Sequence, residues 1–198
     1  MATNGKAQAV QFYFDPICPW AWRTSLWVRE AAKVRPIDVQ WKFLSLDLAN
    51  RAAGNEPKPG HLQSWKPLRL MALARRQGGQ AAVDRLYLAI GRARHERHAA
   101  LDDEAMLAAA LEEAGLDRGL LAAALADPTT EQEVRDEYAA IAADGGFGVP
   151  TLVVDGAKPL FGPVIDDVPL GEAAGALWDR VDWLMEQPSF LELKRARE

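Results

Sequence analysis

The sequence predicts an α/β protein in which a β-α-β unit and a later β-β-α unit are separated by a long helical block. Three observations support this prediction. Residues 7–14 form an apolar, aromatic run that stops at an Asp-Pro step, which is typical of a buried strand. Residues 64–144 are rich in alanine and leucine at helical spacing. Two short apolar runs within residues 148–164 flank an Asp-Gly turn signal, which predicts a hairpin.

The first unit consists of a strand, a helix and a second strand. After the opening run, apolar residues recur at helical spacing from Pro19 to about Val34, and proline is well tolerated in a first helical turn. An alternation of apolar and polar residues that includes Trp41 and Phe43 predicts the second strand within residues 37–46. The opening of the chain is therefore β-α-β.

The remaining segments follow from turn signals and helical spacing. Residues 47–62 contain two glycines and two prolines, and we expect them to form a loop. The hairpin turns at Asp155-Gly156-Ala157 and is followed by a helix from about Leu170 to Met185. A short helix is expected near residues 190–197. Four tryptophans fit core positions: Trp27, Trp41, Trp178 and Trp183.

This order of elements is that of the thioredoxin fold with a helical domain inserted between its two halves. We expect residues 7–62 and 146–198 to form the thioredoxin-like domain. Residues 63–145 are expected to form the helical insertion domain.

Composition and charge exclude several classes of protein. Hydrophobic residues make up 49% of the chain and charged residues 26%, so the chain can bury a core without metals or disulfides. A net charge of −5 argues against nucleic-acid binding, which needs a basic face. No stretch approaches the roughly 20 apolar residues of a membrane helix, and no export signal is evident. A cytoplasmic protein without nucleic-acid or membrane partners is expected.

Cys18 is the only cysteine of the chain and lies between a predicted strand end and a predicted helix start. A single cysteine cannot form an internal disulfide, so its chemistry must involve a second molecule, and this usage suits a reducing compartment. Unpaired backbone N–H groups at a helix N-terminus stabilise a thiolate, which lowers a thiol pKa below about 8.5. The position favours a reactive nucleophile. The alternative is an inert buried cysteine, which is common in protein cores.

A second candidate feature is the sequence Gly148-Val149-Pro150-Thr151, which stands just before the hairpin. A cis bond between Val149 and Pro150 would leave the Val149 backbone groups available to an extended ligand. The alternative is an ordinary trans proline that begins an edge strand. A cysteine after the first strand combined with a proline before the third is more specific than either feature alone.

Several segments resemble the DsbA-like thioredoxin-fold family, and within it the cytoplasmic mycothiol-dependent reductase (nitroreductase) branch. The matching segments are FYFDPICPWAW (12–22), LYLAIGRARH (86–95), GVPTLVVDG (148–156), LFGPV (160–164), GEAAGALWD (171–179) and FLELKRAR (190–197). The resemblance implies a redox-active thiol at Cys18 and a cis Pro150. It also implies a low-molecular-weight thiol as reductant, mycothiol or alternatively glutathione, and a small disulfide or electrophilic substrate. A monomer or a homodimer is compatible with it.

The chain departs from this family at Ala21. Dithiol members read Cys-Pro-Trp-Cys, whereas this chain reads Cys-Pro-Trp-Ala. Without a resolving thiol, a cycle through an internal disulfide is excluded. The hypothesis is therefore a monothiol cycle, in which Cys18 attacks an oxidised substrate or mixed disulfide and an external thiol releases it.

Other residues are candidates for contacts with substrate or thiol. Pro19 and Trp20 belong to the cysteine motif, and Trp20 is expected to line the pocket and stack on a flat substrate. Trp22 fits either the pocket or the core. By resemblance, Asn50 is the preferred polar contact and His95 points into the cleft. No metal is expected, because no second cysteine and no His-Glu-x-x-His pattern accompanies the histidines.

Two other functions remain open. The kappa-type glutathione transferases and hydroxychromene-carboxylate isomerases share the fold and a similar start, here Phe14 to Pro19. In them the residue equivalent to Cys18 activates bound glutathione without a redox cycle, and Ala21 is compatible with that role. The third possibility is a catalytically silent binding protein on the same scaffold, since a fold does not determine a function.

Overall fold

The computed structural model describes residues 7–196. Within this range the strands are β1 (Gln8–Phe14), β2 (Ile37–Phe43), β3 (Thr151–Val154) and β4 (Leu160–Phe161). The helices are α1 (Pro19–Ala32), α2 (Leu46–Ala52), α3 (Pro59–Leu62), α4 (Trp65–Gly91), α5 (Glu104–Glu113), α6 (Leu120–Ala126), α7 (Pro128–Ala143) and α8 (Gly171–Met185). A π-helical turn, Arg92–Glu96, continues α4.

The strands form one mixed sheet in the order β2-β1-β3-β4. β1 runs parallel to β2 and antiparallel to β3, and β3 runs antiparallel to β4. In this register Tyr13, near the end of β1, pairs with Thr151 at the start of β3. The loop that leaves β1 toward Cys18 therefore lies beside the chain that enters β3 from Pro150.

The inserted helices pack directly on the sheet through aromatic rings. Phe14 of β1 stacks on Tyr87 of α4 with ring centroids 3.9 Å apart. Trp41 of β2 meets Tyr87 edge-on at 5.6 Å. On α1, Trp27 contacts Trp178 of α8. Because these rings belong to one buried cluster, the sheet and the inserted helices share a continuous core.

The secondary structure confirms most of the predicted order but corrects two segments. Residues 47–62 were expected to form a loop, yet they contain most of α2 and all of α3. Ser45 caps α2, because its hydroxyl accepts the Leu48 N–H, and Pro59 occupies the first turn of α3. These local capping contacts allow two short helices to form on either side of Gly54 and Pro57.

The expected helix near residues 190–197 is also wrong, because residues 190–196 have no regular structure, while Arg197 lies outside the described residues. Leu191 and Leu193 of this segment are exposed, so a helix here would have no apolar face to bury. Trp183 is likewise 59% exposed on α8 rather than in the core. The other three tryptophans named above are buried as predicted.

The predicted hairpin turn is confirmed by its backbone. Asp155 and Gly156 both have positive φ angles, 47° and 75°, and the Ala157 N–H donates to the Val154 carbonyl. The two central residues of this β-turn have the left-handed backbone that Asp-Gly pairs favour in hairpins. The division into a thioredoxin-like domain and a helical insertion, with the boundaries given above, stays a proposal. No helix within residues 7–196 has the length and apolar character needed to cross a membrane.

Candidate active site

Cys18 is the N-cap residue of α1, as the sequence predicts. Its sulfur accepts the Ala21 N–H at 3.4 Å, and its thiol donates to the Val149 carbonyl at 3.5 Å. The side chain is 7% exposed, so the sulfur lies just below the surface. A sulfur that accepts a backbone N–H at a helix N-terminus is arranged to hold a negative charge.

The structure brings Cys18 together with the predicted proline step. The bond between Val149 and Pro150 is cis, as the family resemblance implies. The Pro150 carbonyl accepts the Gly162 N–H at 2.8 Å, which ties the step to the end of β4. Residues 131 positions apart thus meet because β1 and β3 are neighbours in the sheet.

The cysteine loop, residues 15–18 between β1 and α1, begins with Asp15, whose fully buried side chain was not among the candidates named above. Its carboxylate accepts the Ile17 N–H at 3.0 Å, the Leu46 N–H at 2.8 Å and the Ser64 hydroxyl. One carboxylate therefore fastens the cysteine loop to the starts of α2 and α4. Burial raises the pKa of Asp15 above its ordinary value, although the three donors act in the opposite direction. The sequence signal is an acidic residue at the Asp-Pro step that directly follows the apolar strand β1.

His95 acts on the cysteine loop from the π-helical turn after α4. Its Nε2 atom lies 2.9 Å from the Pro16 carbonyl oxygen. Since a carbonyl only accepts, Nε2 carries the proton. The ring stacks on Trp22 with centroids 5.8 Å apart. Burial lowers the pKa of His95 to about 4, so the imidazole is neutral near pH 7.

Trp22 lies in the core, which is one of the two environments that the sequence left open. Its ring is buried and also meets Tyr87 edge-on at 6.0 Å. Gly91 of α4 makes room for it, because a Cβ atom there would lie 2.1 Å from the indole ring. Trp22 therefore packs against His95 from the core, and a contact between Trp22 and a bound thiol or substrate stays a prediction.

Trp20 lies at the rim of the site and is partly buried against the core. The Arg23 guanidinium lies 5.2 Å from the centroid of its ring and pairs with Asp166. The Thr24 hydroxyl donates to the Pro163 carbonyl at 2.8 Å. These contacts join the first turns of α1 to the segment after β4, so that both sides of the rim are tied together.

Asn50 lies on α2, one turn beyond the residue that is bonded to Asp15. Its amide donates to the Glu56 carbonyl at 3.0 Å and closes the loop after α2. A contact between Asn50 and a bound thiol stays a prediction.

A polar cavity of about 230 Å³ lies beside α2. Its lining residues are Asp47, Leu48, Arg51, Trp65, Glu131 and Arg135. Asp47 directly follows Leu46, and Trp65 directly follows Ser64; both preceding residues donate hydrogen bonds to Asp15. The Trp65 indole donates to Asp47 at 3.1 Å. The cavity is therefore built on the same anchor as the cysteine loop. Among residues 7–196, no group of three or more His, Cys, Asp or Glu side chains could hold a metal ion.

The depressed pKa of His95 predicts an acid-sensitive fold. An unfolded histidine takes up a proton below about pH 6.5, whereas folded His95 resists protonation until about pH 4. The His95 contribution to the free energy of unfolding is thus present above pH 6.5 and lost as the pH falls toward 4. In urea denaturation at pH 7.5 and 5.0, wild type should lose more stability than His95→Gln. The control variant His98→Gln changes an exposed histidine three residues away and should behave as wild type; equal losses in all three proteins would contradict the prediction.

Comparison with known proteins places this geometry in a family. Residues 17–195 match the model of the Rv2466c-like family, described as mycothiol-dependent nitroreductase Rv2466c. The chain belongs to this family. A curated relative of this Rv2466c-like protein is the uncharacterized protein Rv2286c of Mycobacterium tuberculosis (strain ATCC 25618 / H37Rv). The two are 39% identical over 190 residues, which is 95% of this chain and 82% of the relative.

Solved structures confirm the fold of the Rv2466c-like chain. The probable DsbA oxidoreductase SCO1869 from Streptomyces coelicolor has a TM-score of 0.64 at 21% identity, covering 96% of this chain and 94% of that one. The cytosolic disulfide reductase DsbM from Pseudomonas aeruginosa with GSH has a TM-score of 0.60 at 16% sequence identity, covering 88% of this chain and 99% of that one. A 2-hydroxychromene-2-carboxylate isomerase has a TM-score of 0.66 at 18% sequence identity, covering 89% of this chain and 95% of that one. The DsbA-like thioredoxin fold and the family resemblance are both confirmed, and the chain is a thiol-dependent oxidoreductase by family.

Proposed function

We propose that this protein is a monothiol oxidoreductase in which Cys18 works with mycothiol, or with glutathione as the alternative, to reduce disulfide or electrophilic nitroaromatic substrates. The single observation that supports it most is the position of the Cys18 sulfur. The sulfur caps α1, accepts the Ala21 N–H and lies 3.5 Å from the Val149 carbonyl oxygen, beside the cis Val149-Pro150 bond.

The proposed cycle needs no second protein cysteine. Cys18 attacks the small-thiol sulfur of a mixed disulfide; a new S–S bond forms to Cys18, and the substrate sulfur leaves as a thiolate that takes a proton from water. A second molecule of the small thiol then attacks the small-thiol sulfur of this adduct, so that an S–S bond forms between the two small thiols and the bond to Cys18 breaks. Cys18 then leaves as a thiolate, which the Ala21 N–H stabilises. Each round consumes one mixed disulfide and one free small thiol, and it yields one substrate thiol and one disulfide between two small thiols.

The cavity beside α2 suits a small hydroxyl-rich thiol. The cavity beside α2 presents two guanidinium groups, from Arg51 and Arg135, and two carboxylates, from Asp47 and Glu131. Such groups exchange hydrogen bonds with sugar-like hydroxyls. In the proposal, this cavity and Asn50 hold the polar part of the thiol.

The remaining candidates surround the sulfur. Pro19 and Trp20 line one side of it, and the Val149-Pro150 step lines the other. His95 positions the loop through the Pro16 carbonyl. A reducing cytoplasmic setting and a monomeric or homodimeric state complete the proposal.

Mixed-disulfide formation tests the proposal directly. The protein is mixed with oxidised mycothiol and, separately, with oxidised glutathione, and its intact mass is followed with time across pH 5 to 9. We expect one adduct per chain, formed faster with one of the two disulfides. Its rate should rise with a midpoint below the roughly pH 8.5 of an unperturbed thiol. If neither disulfide forms an adduct, the monothiol cycle is contradicted.

A further inference from the structure

Two phenylalanine rings form an exposed stack beside the cysteine site. Phe147 and Phe161 lie with ring centroids 5.2 Å apart and planes inclined by 24°. Phe147 is 70% exposed and Phe161 38% exposed, although both are large apolar side chains. Building on the function proposed above, we propose that this stack is the binding platform for the planar aromatic ring of an electrophilic substrate that Cys18 attacks.

The chain places the platform next to the reacting sulfur. Phe147 precedes Val149 by two residues, and the Val149 carbonyl accepts a hydrogen bond from the Cys18 thiol. A fully extended chain spans at most about 3.6 Å per residue, so the backbones of Phe147 and Val149 are within about 7 Å of each other. Phe161 lies on the edge strand β4 and pairs with Thr151, which directly follows Pro150. Both rings therefore flank the proline step that faces the thiol.

The local backbone is suited to hold the rings in this position. A Cβ atom at Gly148 would lie 3.3 Å from the Phe161 ring, closer than nearly all real Cβ contacts. Glycine therefore lets the Phe161 ring lie against the chain that leads to Pro150. The Gly162 N–H donates to the Pro150 carbonyl at 2.8 Å and keeps the end of β4 against this chain. The Phe161 ring is thus held against the chain at Gly148, while the Phe147 ring stacks on it and remains exposed to solvent.

The size and chemistry of the platform favour one kind of occupant. A stable interface with a folded protein buries about 800 Å² on each partner, far more than two rings offer. Phenyl rings offer no hydrogen-bonding groups to the hydroxyls of a hydroxyl-rich thiol. A planar aromatic ring extends an existing offset stack and adds dispersion and quadrupole attraction to simple burial. The platform therefore selects flat aromatic electrophiles over aliphatic ones of similar reactivity.

Two alkylating probes separate ring recognition from thiol reactivity. With 1-chloro-2,4-dinitrobenzene, the Cys18 thiolate forms a bond to the ring carbon and chloride leaves with the bonding electrons. With iodoacetamide, it forms a bond to an aliphatic carbon and iodide leaves. The ratio of the two second-order rate constants cancels the nucleophilicity of Cys18, since the same thiolate reacts with both probes.

Four proteins are compared by this ratio. Phe147→Leu keeps most of the apolar area and loses the ring, and it should lower the ratio about three- to tenfold, as expected for the loss of one stacking contact. Phe147→Tyr keeps the ring and should retain the wild-type ratio. Trp183→Ala removes another exposed aromatic ring, which is 59% exposed on α8, and should also retain the wild-type ratio. The iodoacetamide rate constant should stay within about twofold in all four, because no variant touches the N-cap of α1.

The outcomes distinguish the platform from the function on which it rests. An unchanged ratio in Phe147→Leu overturns the platform, and so does an equal fall in both rate constants. An equal fall of the ratio in Trp183→Ala also overturns it. If wild-type Cys18 reacts with neither probe faster than an unstructured cysteine peptide, the proposed function fails first. Normal iodoacetamide reactivity with an unchanged ratio leaves that function intact and removes only the platform.

Discussion

The Cys18→Ser variant is expected to form no mixed disulfide with oxidised mycothiol or glutathione and to lose thiol-dependent reductase activity by at least about 1,000-fold. A serine hydroxyl is not ionised near neutral pH and forms no S–S bond, so both steps of the proposed cycle are lost. The variant should still fold, because serine is a preferred N-cap residue and its oxygen can accept the Ala21 N–H. Intact mass and reductase assays measure the loss, and an unchanged urea midpoint is the control.

The same variant separates the three functions that the sequence leaves open. A kappa-type transferase would retain conjugation activity with glutathione, because a serine hydroxyl can still hydrogen-bond and activate the external thiol. A catalytically silent protein would show no adduct and no activity even in the wild type. Only the monothiol oxidoreductase loses an adduct that the wild type forms readily.

The Asp15→Asn variant is expected to lower the free energy of unfolding by about 2–3 kcal/mol and to slow alkylation of Cys18. The carboxylate accepts three donors, from Ile17, Leu46 and Ser64. An asparagine amide group would turn one acceptor into a donor and leave it facing another donor in a fully buried site. The cysteine loop would then lose its connection to the start of α2 or α4. Urea denaturation and iodoacetamide kinetics measure the two effects.

The raised pKa of Asp15 gives this prediction a pH signature. The folded protein holds the Asp15 proton more tightly than the unfolded chain, in which the pKa is near 3.8. The Asp15 contribution to the free energy of unfolding is therefore largest below pH 3.8 and falls as the pH rises through the raised folded value. The stability difference between wild type and Asp15→Asn should accordingly be larger at pH 4.5 than at pH 7.5. Asp38→Asn, at an exposed position on β2, serves as the matched control and should show neither the loss nor this trend.

Local signals in the sequence determined much of this protein. Alternating and aromatic residues predicted β1 and β2, and the Asp155-Gly156 pair predicted the hairpin turn, because backbone conformation there depends on neighbouring residues. The position of Cys18 between strand and helix followed from Pro19 and the helical spacing after it. The cysteine as N-cap and the cis proline before β3 were both expected and are both present in the structure.

Only the tertiary structure decided what surrounds the sulfur. Asp15 meets partners 31 and 49 residues away, His95 reaches Pro16 across 79 residues, and Phe147 stacks on a ring from the edge strand. Trp22 fitted two environments by sequence, and the space left by Gly91 assigned it to the core. Periodicity and capping signals describe contacts within a few residues, whereas these contacts depend on which strands pair and how the inserted helices pack on the sheet. The identity of the nucleophile was therefore local information, whereas the contacts of Asp15, of His95 and of the Phe147-Phe161 pair depend on the fold.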